Sequence, residues 1–198
     1  MERVLLAAVF LTLFSTCAGA GAGAGAALHP DVDFIRTSCR STRYPALCEH
    51  SLTGFAGAVR RNPRQLAQTA LAVTIYRARS ASTFVGHLMD GARKIRSREA
   101  GAVRDCIENV SDSVDRLRRS VAEFGRMGKP GTPSFAWHLS NVQTWVSAAL
   151  TDETTCLDGF SGTNVDAAMK TAIRRKIVGL AQETSNALAL VNRIAARH

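Results

Sequence analysis

The segment that decides the fold is residues 142–160, VQTWVSAALTDETTCLDGF. Its first half predicts a helix with one apolar stripe, because apolar residues recur there at steps of three and four. The stripe consists of Leu139, Val142, Val146 and Ala149. Residues 151–155 are short and polar, which is typical of a helix end followed by a turn. Cys156 comes next, so we expect a thiol where this helix stops and the chain reverses, a good place to tie two helices together.

The first 27 residues are typical of a removable leader. Arg3 supplies a positive charge, residues 4–14 are apolar, and Ala18-Gly19-Ala20 is a small-residue cleavage site. The apolar run is shorter than the ~20 residues that span a bilayer, which argues against a membrane anchor. We therefore assign residues 1–27 to a signal peptide with an Ala/Gly-rich leader and residues 28–198 to one secreted domain.

Loss of the leader would remove Cys17 and leave an even number of cysteines. The four are Cys39, Cys48, Cys106 and Cys156. In an exported chain this count indicates two disulfides, for which three pairings are possible. Only eight residues separate Cys39 from Cys48. This short spacing favours a local bridge between them and a second bridge between Cys106 and Cys156.

The rest of the chain carries helical patterns without alternating strand patterns. Two short helices are predicted over residues 31–38 and 46–52, and four long ones over about 63–92, 99–124, 134–152 and 165–196. The second long helix has the clearest pattern, because apolar residues step by four and three from Val103 to Phe124. The connections are short. We predict an all-α fold, an up-down-up-down four-helix bundle with an N-terminal disulfide-stapled helical hairpin.

No arrangement of residues resembles a catalytic or metal site. The five histidines are scattered, and the sequence contains no HExxH, GxSxG or Gly-rich phosphate motif. We predict that the protein is not an enzyme and binds no metal or cofactor. Its net charge of +9 favours an acidic partner such as a polyanionic polysaccharide, but no aromatic residues interleave with its basic clusters as nucleic acid would require. Trp137 and Trp145 are more typical of core or seam positions than of a ligand platform.

A row of acidic residues on the second long helix runs against the overall charge. This acidic row consists of Asp105, Glu108, Asp112 and Asp115. At 100° per residue its members fall within about 80° of one another, nearly opposite the apolar seam. The row either pairs with the neighbouring Arg104, Arg116 and Arg119 or forms a patch for a basic site on a protein partner. Beside it, Asn109 begins the sequence's N-glycosylation sequon, Asn109-Val110-Ser111.

Four segments occur in an order, and with a cysteine spacing, that match a known family. They are Cys39-x8-Cys48 with TRYPALC, DCIEN at residues 105–109 with SDSVDRL, then TWVSAALTDETTCLDGF and TSNALAL. They resemble the plant invertase/pectin methylesterase inhibitor family over nearly the whole mature chain. The resemblance implies a secreted helical bundle of the plant apoplast with bridges 39–48 and 106–156.

The resemblance also implies an inhibitory function. Some members inhibit pectin methylesterase and others acid invertase, and the positions of Thr155 and Asp158 around Cys156 resemble the pectin methylesterase branch. The implied mechanism is occlusion of the pectin-binding cleft in a 1:1 complex, by a protein that we expect to be monomeric. The positions that match enzyme-facing residues are Glu108, Asp112, Asp115, Thr155 and Asp158. Carboxylates that meet basic groups predict a complex weakened by salt and by a fall in pH toward ~4.

Two alternatives remain open at this point. The same fold could inhibit a cell-wall or vacuolar acid invertase instead of the esterase. A protein of a different class would be a basic cell-wall module that binds acidic, de-esterified pectin through Arg and Lys. Nucleic acid and membranes are not expected partners.

Overall fold

The computed structural model describes residues 30–91 and 97–196. The predicted leader, residues 1–27 with Cys17, lies outside these residues. The helices are α1 (Pro30–Cys39), α2 (Pro45–Leu52), α3 (Ala56–Val59, after the 3-10 turn Thr53–Phe55), α4 (Pro63–Gly91), α5 (Ser97–Arg126), α6 (Pro133–Asp158) and α7 (Ala167–Ala195). No strand occurs in these two ranges. Among the described helices, no segment combines the length and apolarity that a bilayer crossing requires.

Helices α4 to α7 form the bundle, and this confirms the predicted fold class. Each packs mainly against two others: α4 against α5 and α7, and α6 against α5 and α7. The pair α5–α6 therefore lies on the opposite side of the bundle from the pair α4–α7. The hairpin of α1 and α2 packs at the α4 and α7 side.

The apolar seam of α5 faces the core as its spacing predicts. Val103, Val110, Leu117 and Phe124 are fully buried, and the intervening seam residues are buried or half-buried. Burial of each such side chain is worth about 1.5–3 kcal/mol relative to exposure. At the end of α5, the Arg64 guanidinium of α4 donates to the carbonyl oxygens of Phe124 and Met127 at 2.5 and 2.9 Å. Arg64 thereby satisfies carbonyl groups that have no partner inside a helix.

Helix α6 continues past its predicted end near Asp152 to Asp158, so the prediction of a turn at residues 151–155 is wrong. The hydroxyls of Thr154 and Thr155 each donate to the carbonyl oxygen of Thr151 at 2.9 Å. Threonine hydroxyls can bond to the preceding helical turn as well as to a turn outside a helix. Asp152, Glu153 and Cys156 are also buried, which holds the segment against the bundle. Cys156 therefore lies in the last turns of the helix.

Two disulfides join the elements in the pairing that the cysteine spacing favours. Cys39 at the end of α1 is bonded to Cys48 in α2, with Cα atoms 5.6 Å apart. Cys106 in α5 is bonded to Cys156 in α6, with Cα atoms 4.2 Å apart. The first bridge closes the hairpin, and the second ties the two helices that carry the acidic row and the Thr-rich segment.

The hairpin is anchored to α7 by buried polar contacts. The side chain of Asn186 accepts from the Tyr44 backbone N–H at 3.0 Å and donates to its carbonyl oxygen at 2.9 Å. Arg193 donates to the carbonyl oxygen of Ser38 at 2.6 Å. These contacts bind backbone groups at the end of α1 and just before α2, where the Tyr44 carbonyl oxygen also accepts from the Cys48 N–H at 3.0 Å. Pro45 then begins α2, a position where its missing N–H costs nothing.

Candidate functional site: a protein-binding face

Helices α5 and α6 are antiparallel neighbours whose register is set by four contacts. They are the bridge Cys106–Cys156, the hydrogen bonds Ser113–Glu153 (2.7 Å) and Arg116–Asp152, and His138–Glu123 (2.7 Å). Residue numbers rise along α5 as they fall along α6. This register places Glu108 level with Thr155 and Asp112 level with Asp152. We call the exposed side of this pair, which carries Glu108, Asp112, Asp115, Thr155 and Asp158, the α5–α6 face.

The acidic row points into solvent, as its helical angle predicts. Glu108, Asp112 and Asp115 are all exposed. Asp115 accepts from Arg118 at 3.0 Å, one turn along the same helix, and an exposed pair of this kind contributes only about 0.2–1 kcal/mol. Glu108 and Asp112 form no side-chain hydrogen bond or ion pair with the described part of the chain. Both carboxylates are therefore available to a partner.

Two of the three arginines expected to neutralise the row bind other groups. The Arg116 Nε donates to the Asp152 carboxylate across the helix pair, and the Arg119 guanidinium lies 5.0 Å from the ring centroid of Trp145. Burial raises the pKa of Asp152, the Arg116 hydrogen bond offsets part of this rise, and the negative charge of Asp112 adds to it. Since Arg116 is paired with Asp152, the Asp112 carboxylate is left to attract a basic group of a partner.

The two predicted residues of α6 occupy different parts of the face. Thr155 is exposed and level with Glu108, and its hydroxyl donates to the carbonyl oxygen of Thr151, which leaves its oxygen lone pairs free to accept. Asp158 is exposed at the last position of α6, about 60° further around the helix. The structure thus brings Glu108, Asp112 and Thr155 together, while Asp115 and Asp158 extend the face in opposite directions.

Trp137 is a surface residue that the sequence reading assigned wrongly to the core or seam. Its side chain is 67% exposed near the start of α6. It follows the buried Phe135 by two residues, which places it about 200° away from the apolar stripe. Eighteen residues separate it from Thr155, or five helical turns, so both lie on the same side of α6 about 27 Å apart. Counting the helical angle from Phe135 along the sequence would have identified Trp137 as a surface residue.

A buried carboxyl group joins α5, α6 and α7 directly behind the face. Glu153 is fully buried, and its Oε1 atom accepts from Ser113 at 2.7 Å and from Thr184 at 2.8 Å. Its Oε2 atom has no hydrogen-bond partner among the described residues. Burial raises the pKa of Glu153 to about 7, although the two hydroxyl groups act in the opposite direction. The sequence analysis did not single out this residue, since nothing local distinguishes it from the exposed polar residues around it.

Two further predictions concern glycosylation and metal binding. Asn109 is half-buried in the middle of α5, where its Nδ2 atom donates to the Asp105 carbonyl oxygen at 2.8 Å. Glycosylation would have to replace this contact, and occupancy of the sequon stays a prediction. Within residues 30–91 and 97–196, no group of three His, Cys, Asp or Glu side chains could hold a metal ion.

A sequence model of the plant invertase/pectin methylesterase inhibitor family matches residues 33–190, from the hairpin to the last turns of α7. The chain belongs to this family. It is 52% identical to "Pectinesterase inhibitor 9" of Arabidopsis thaliana over 164 residues, which are 82% of this chain and 80% of that protein. It is 46% identical to "21 kDa protein" of Daucus carota over 173 residues, or 87% and 89% of the two chains.

The solved structures of the family agree in fold. A crystal structure of a mutant form of a pectin methylesterase inhibitor from Arabidopsis superposes with a TM-score of 0.61 at 21% identity, over 80% of this chain and 95% of that one. The family match and the sequence identities above confirm the resemblance read from the cysteine-centred motifs. Since the plant invertase/pectin methylesterase inhibitor family consists of inhibitor proteins, the comparisons also support the prediction that the chain is not an enzyme.

Proposed function

We propose that this protein is a secreted inhibitor of plant pectin methylesterase. The observation that carries the proposal is its 52% identity with a pectinesterase inhibitor over 82% of the chain. The unpaired carboxylates of Glu108 and Asp112, beside Thr155, support the same assignment because they offer an acidic surface on a domain of net charge +9. After removal of residues 1–27, the domain of residues 28–198 would act as a monomer in the cell wall.

The mechanism we infer is occlusion of the esterase's pectin-binding cleft by the α5–α6 face in a 1:1 complex. The face is preorganised, because the bridge Cys106–Cys156, the Arg116–Asp152 pair and the Glu153 hydrogen bonds hold both helices in one register. A rigid face loses little conformational entropy on binding. The carboxylates would meet basic groups at the edge of the cleft and contribute orientation and association rate more than raw affinity.

An exposed aromatic residue supplies the apolar contact that the carboxylates of this face do not. Interfaces draw most of their energy from a few buried anchors, among which Trp is enriched. Trp137 is 67% exposed on the same side of α6 as Thr155, so it would be covered by a partner that spans the length of this helix. We therefore include Trp137 in the proposed contact surface together with Glu108, Asp112, Asp115, Thr155 and Asp158.

A side-by-side inhibition assay tests the function. The oxidised domain of residues 28–198 is titrated against a plant pectin methylesterase and a plant acid invertase, at about pH 5 and about pH 7. We expect inhibition of the esterase alone, and a calorimetric stoichiometry of one inhibitor per enzyme. Inhibition of the invertase alone would overturn the choice of target. Absence of inhibition in a protein with native helical circular dichroism and no free thiol would overturn the inhibitory function itself.

A further inference from the structure

A second candidate site lies apart from the exposed residues that define the α5–α6 face, none of which lines it. A cavity of about 750 Å³ lies over α4, beside the end of the hairpin, and is large enough for several sugar rings. It is lined by Phe55, Gln65, Gln68, Thr69 and Tyr76, together with smaller and apolar residues. Arg77 and, from α5, Val121 also line it, so aromatic rings, amide and hydroxyl groups and apolar side chains share one open cavity.

The aromatic residues of this cavity are unusually exposed. Tyr76 is 71% and Phe55 is 45% exposed, and with Trp137 they are the exposed large hydrophobic side chains of the described residues. Exposed rings with a nearby polar rim bind ligands that have one apolar face and hydroxyl groups at the edge. A pyranose ring has this character, since its C–H groups form apolar faces and its hydroxyls lie around the rim.

A second cavity, of about 320 Å³, adjoins the first at Arg77, which lines both. Its other charged residues are Arg175, Lys176 and Glu183. The Lys176 ammonium is positioned by Ser80 at 3.1 Å and lies 5.8 Å from the Phe84 ring centroid. Glu183 is only 7% exposed and accepts a hydrogen bond from Ser51. Burial raises its pKa, while the Ser51 hydrogen bond and the positive charge of Arg77 act in the opposite direction.

We propose that the two cavities together form a binding groove for a linear acidic oligosaccharide, a uronate chain. Its sugar rings would stack on Tyr76 and Phe55, and its carboxylates would meet Arg77, Arg175 and Lys176. The basic residues favour a polyanion as the ligand, and the exposed rings of Tyr76 and Phe55 favour a carbohydrate over an acidic peptide. The choice of uronate rests on the proposed function, because pectin methylesterase converts pectin methyl esters into such carboxylates. The groove and the α5–α6 face share no residue, so the inhibitor would hold the product polymer and the enzyme at once.

Calorimetric titration with a galacturonate oligomer tests the groove. We expect the wild-type protein to bind it, and to bind the fully methyl-esterified oligomer and poly-glutamate at least about tenfold more weakly. Arg77→Gln with Arg175→Gln, and separately Tyr76→Ala, should each weaken binding by about tenfold. The matched control is Arg79→Gln with Arg174→Gln, which removes the same charge from exposed positions of α4 and α7 outside both cavities and should change affinity by less than about twofold.

Several results would overturn the groove. If the two arginine double variants lose affinity for the oligomer equally, the binding is a diffuse attraction between the oligomer and a basic protein. Unchanged binding in Tyr76→Ala, equal binding of poly-glutamate, or no binding by the wild type would each remove the carbohydrate site. Binding to pectin methylesterase, measured by calorimetry without pectin, should be the same for wild type and the Arg77/Arg175 variant. If the protein binds the oligomer but not the esterase, the groove is supported and the proposed function is overturned. If it binds the esterase but not the oligomer, the proposed function is supported and the groove is overturned.

Discussion

The hydroxyl of Thr184 in α7 lies 2.8 Å from the Oε1 atom of Glu153 in α6, at a point that solvent does not reach. Ser113 of α5 donates to the same oxygen at 2.7 Å. One carboxyl group therefore joins three of the four bundle helices. Burial removes water from this carboxyl group and leaves Oε2 without a partner among the described residues, so the neutral form of the acid is favoured although the two hydroxyl groups act in the opposite direction.

Stability should therefore fall as pH rises through the range in which Glu153 ionises. Its pKa is about 7 in the folded protein against an ordinary value of 4.5. Between these values the unfolded chain releases the proton and the folded chain keeps it, so the free energy of unfolding decreases with pH. The contribution is complete below about pH 4.5 and lost above about pH 7, and it amounts to about 3 kcal/mol. Urea unfolding at a series of pH values measures it.

The matched variant for this prediction is Glu153→Gln, which imitates the neutral acid. Its free energy of unfolding should equal that of the wild type near pH 4.5 and exceed it near pH 8. The difference between the two unfolding curves isolates Glu153 from the other titrating groups. A constant difference across this pH range would show that Glu153 does not change its protonation on folding.

Removal of carboxylates from the acidic row should abolish most inhibition without unfolding the protein. Asp112→Ala with Asp115→Ala deletes two exposed charges, and we expect association with pectin methylesterase to slow by at least about tenfold at low salt. The control is Asp33→Ala with Asp90→Ala, two exposed acidic residues outside the α5–α6 face with the same charge change. Stopped-flow association rates at low and high salt check it. If both double variants behave like the wild type, these residues do not contact the enzyme.

Truncation of Trp137 should weaken the complex through its dissociation rate. An aromatic anchor buried at an interface contributes more than about 1 kcal/mol, so Trp137→Ala should raise the dissociation constant by about fivefold or more. Tyr76→Ala serves as the control, because Tyr76 is similarly exposed and lies outside the α5–α6 face. Surface plasmon resonance with immobilised esterase measures both. Equal effects of the two substitutions would argue against Trp137 as a specific contact.

The two disulfides should differ in how much they stabilise the fold. The bridge Cys106–Cys156 spans 50 residues and Cys39–Cys48 spans 9. In the chain-entropy model, the longer loop is worth about 4 kcal/mol and the shorter about 3 kcal/mol. Paired Cys→Ala variants of each bridge, compared by denaturant unfolding, measure the difference. The long bridge also holds the α5–α6 face, so its loss should reduce inhibition more than loss of the short one; the reverse order would contradict this role.

Sequence periodicity was sufficient for the helices and for the direction in which the acidic row points. Both follow from the 100° rotation per residue, which depends only on local backbone geometry. The same rule fails at residues 151–155, because Thr hydroxyls can bond either within a helix or in a turn, and only the buried contacts of Asp152, Glu153 and Cys156 select the helix. Trp137 was misassigned to the core or seam, although its helical angle relative to the apolar stripe indicated exposure.

The sequence by itself determined the two-disulfide framework, the four long amphipathic helices and the family. Each of these depends on spacing along the chain, where the physics is local. Only the tertiary structure decided which distant residues share a surface. Glu108 and Thr155 are brought level by the α5–α6 register, Glu153 loses its water because three helices close over it, and Arg77 connects two cavities because the hairpin packs at the α4 and α7 side. Those outcomes depend on which helices become neighbours. The packing of one helix against another decides this, and the order of residues within a single helix does not.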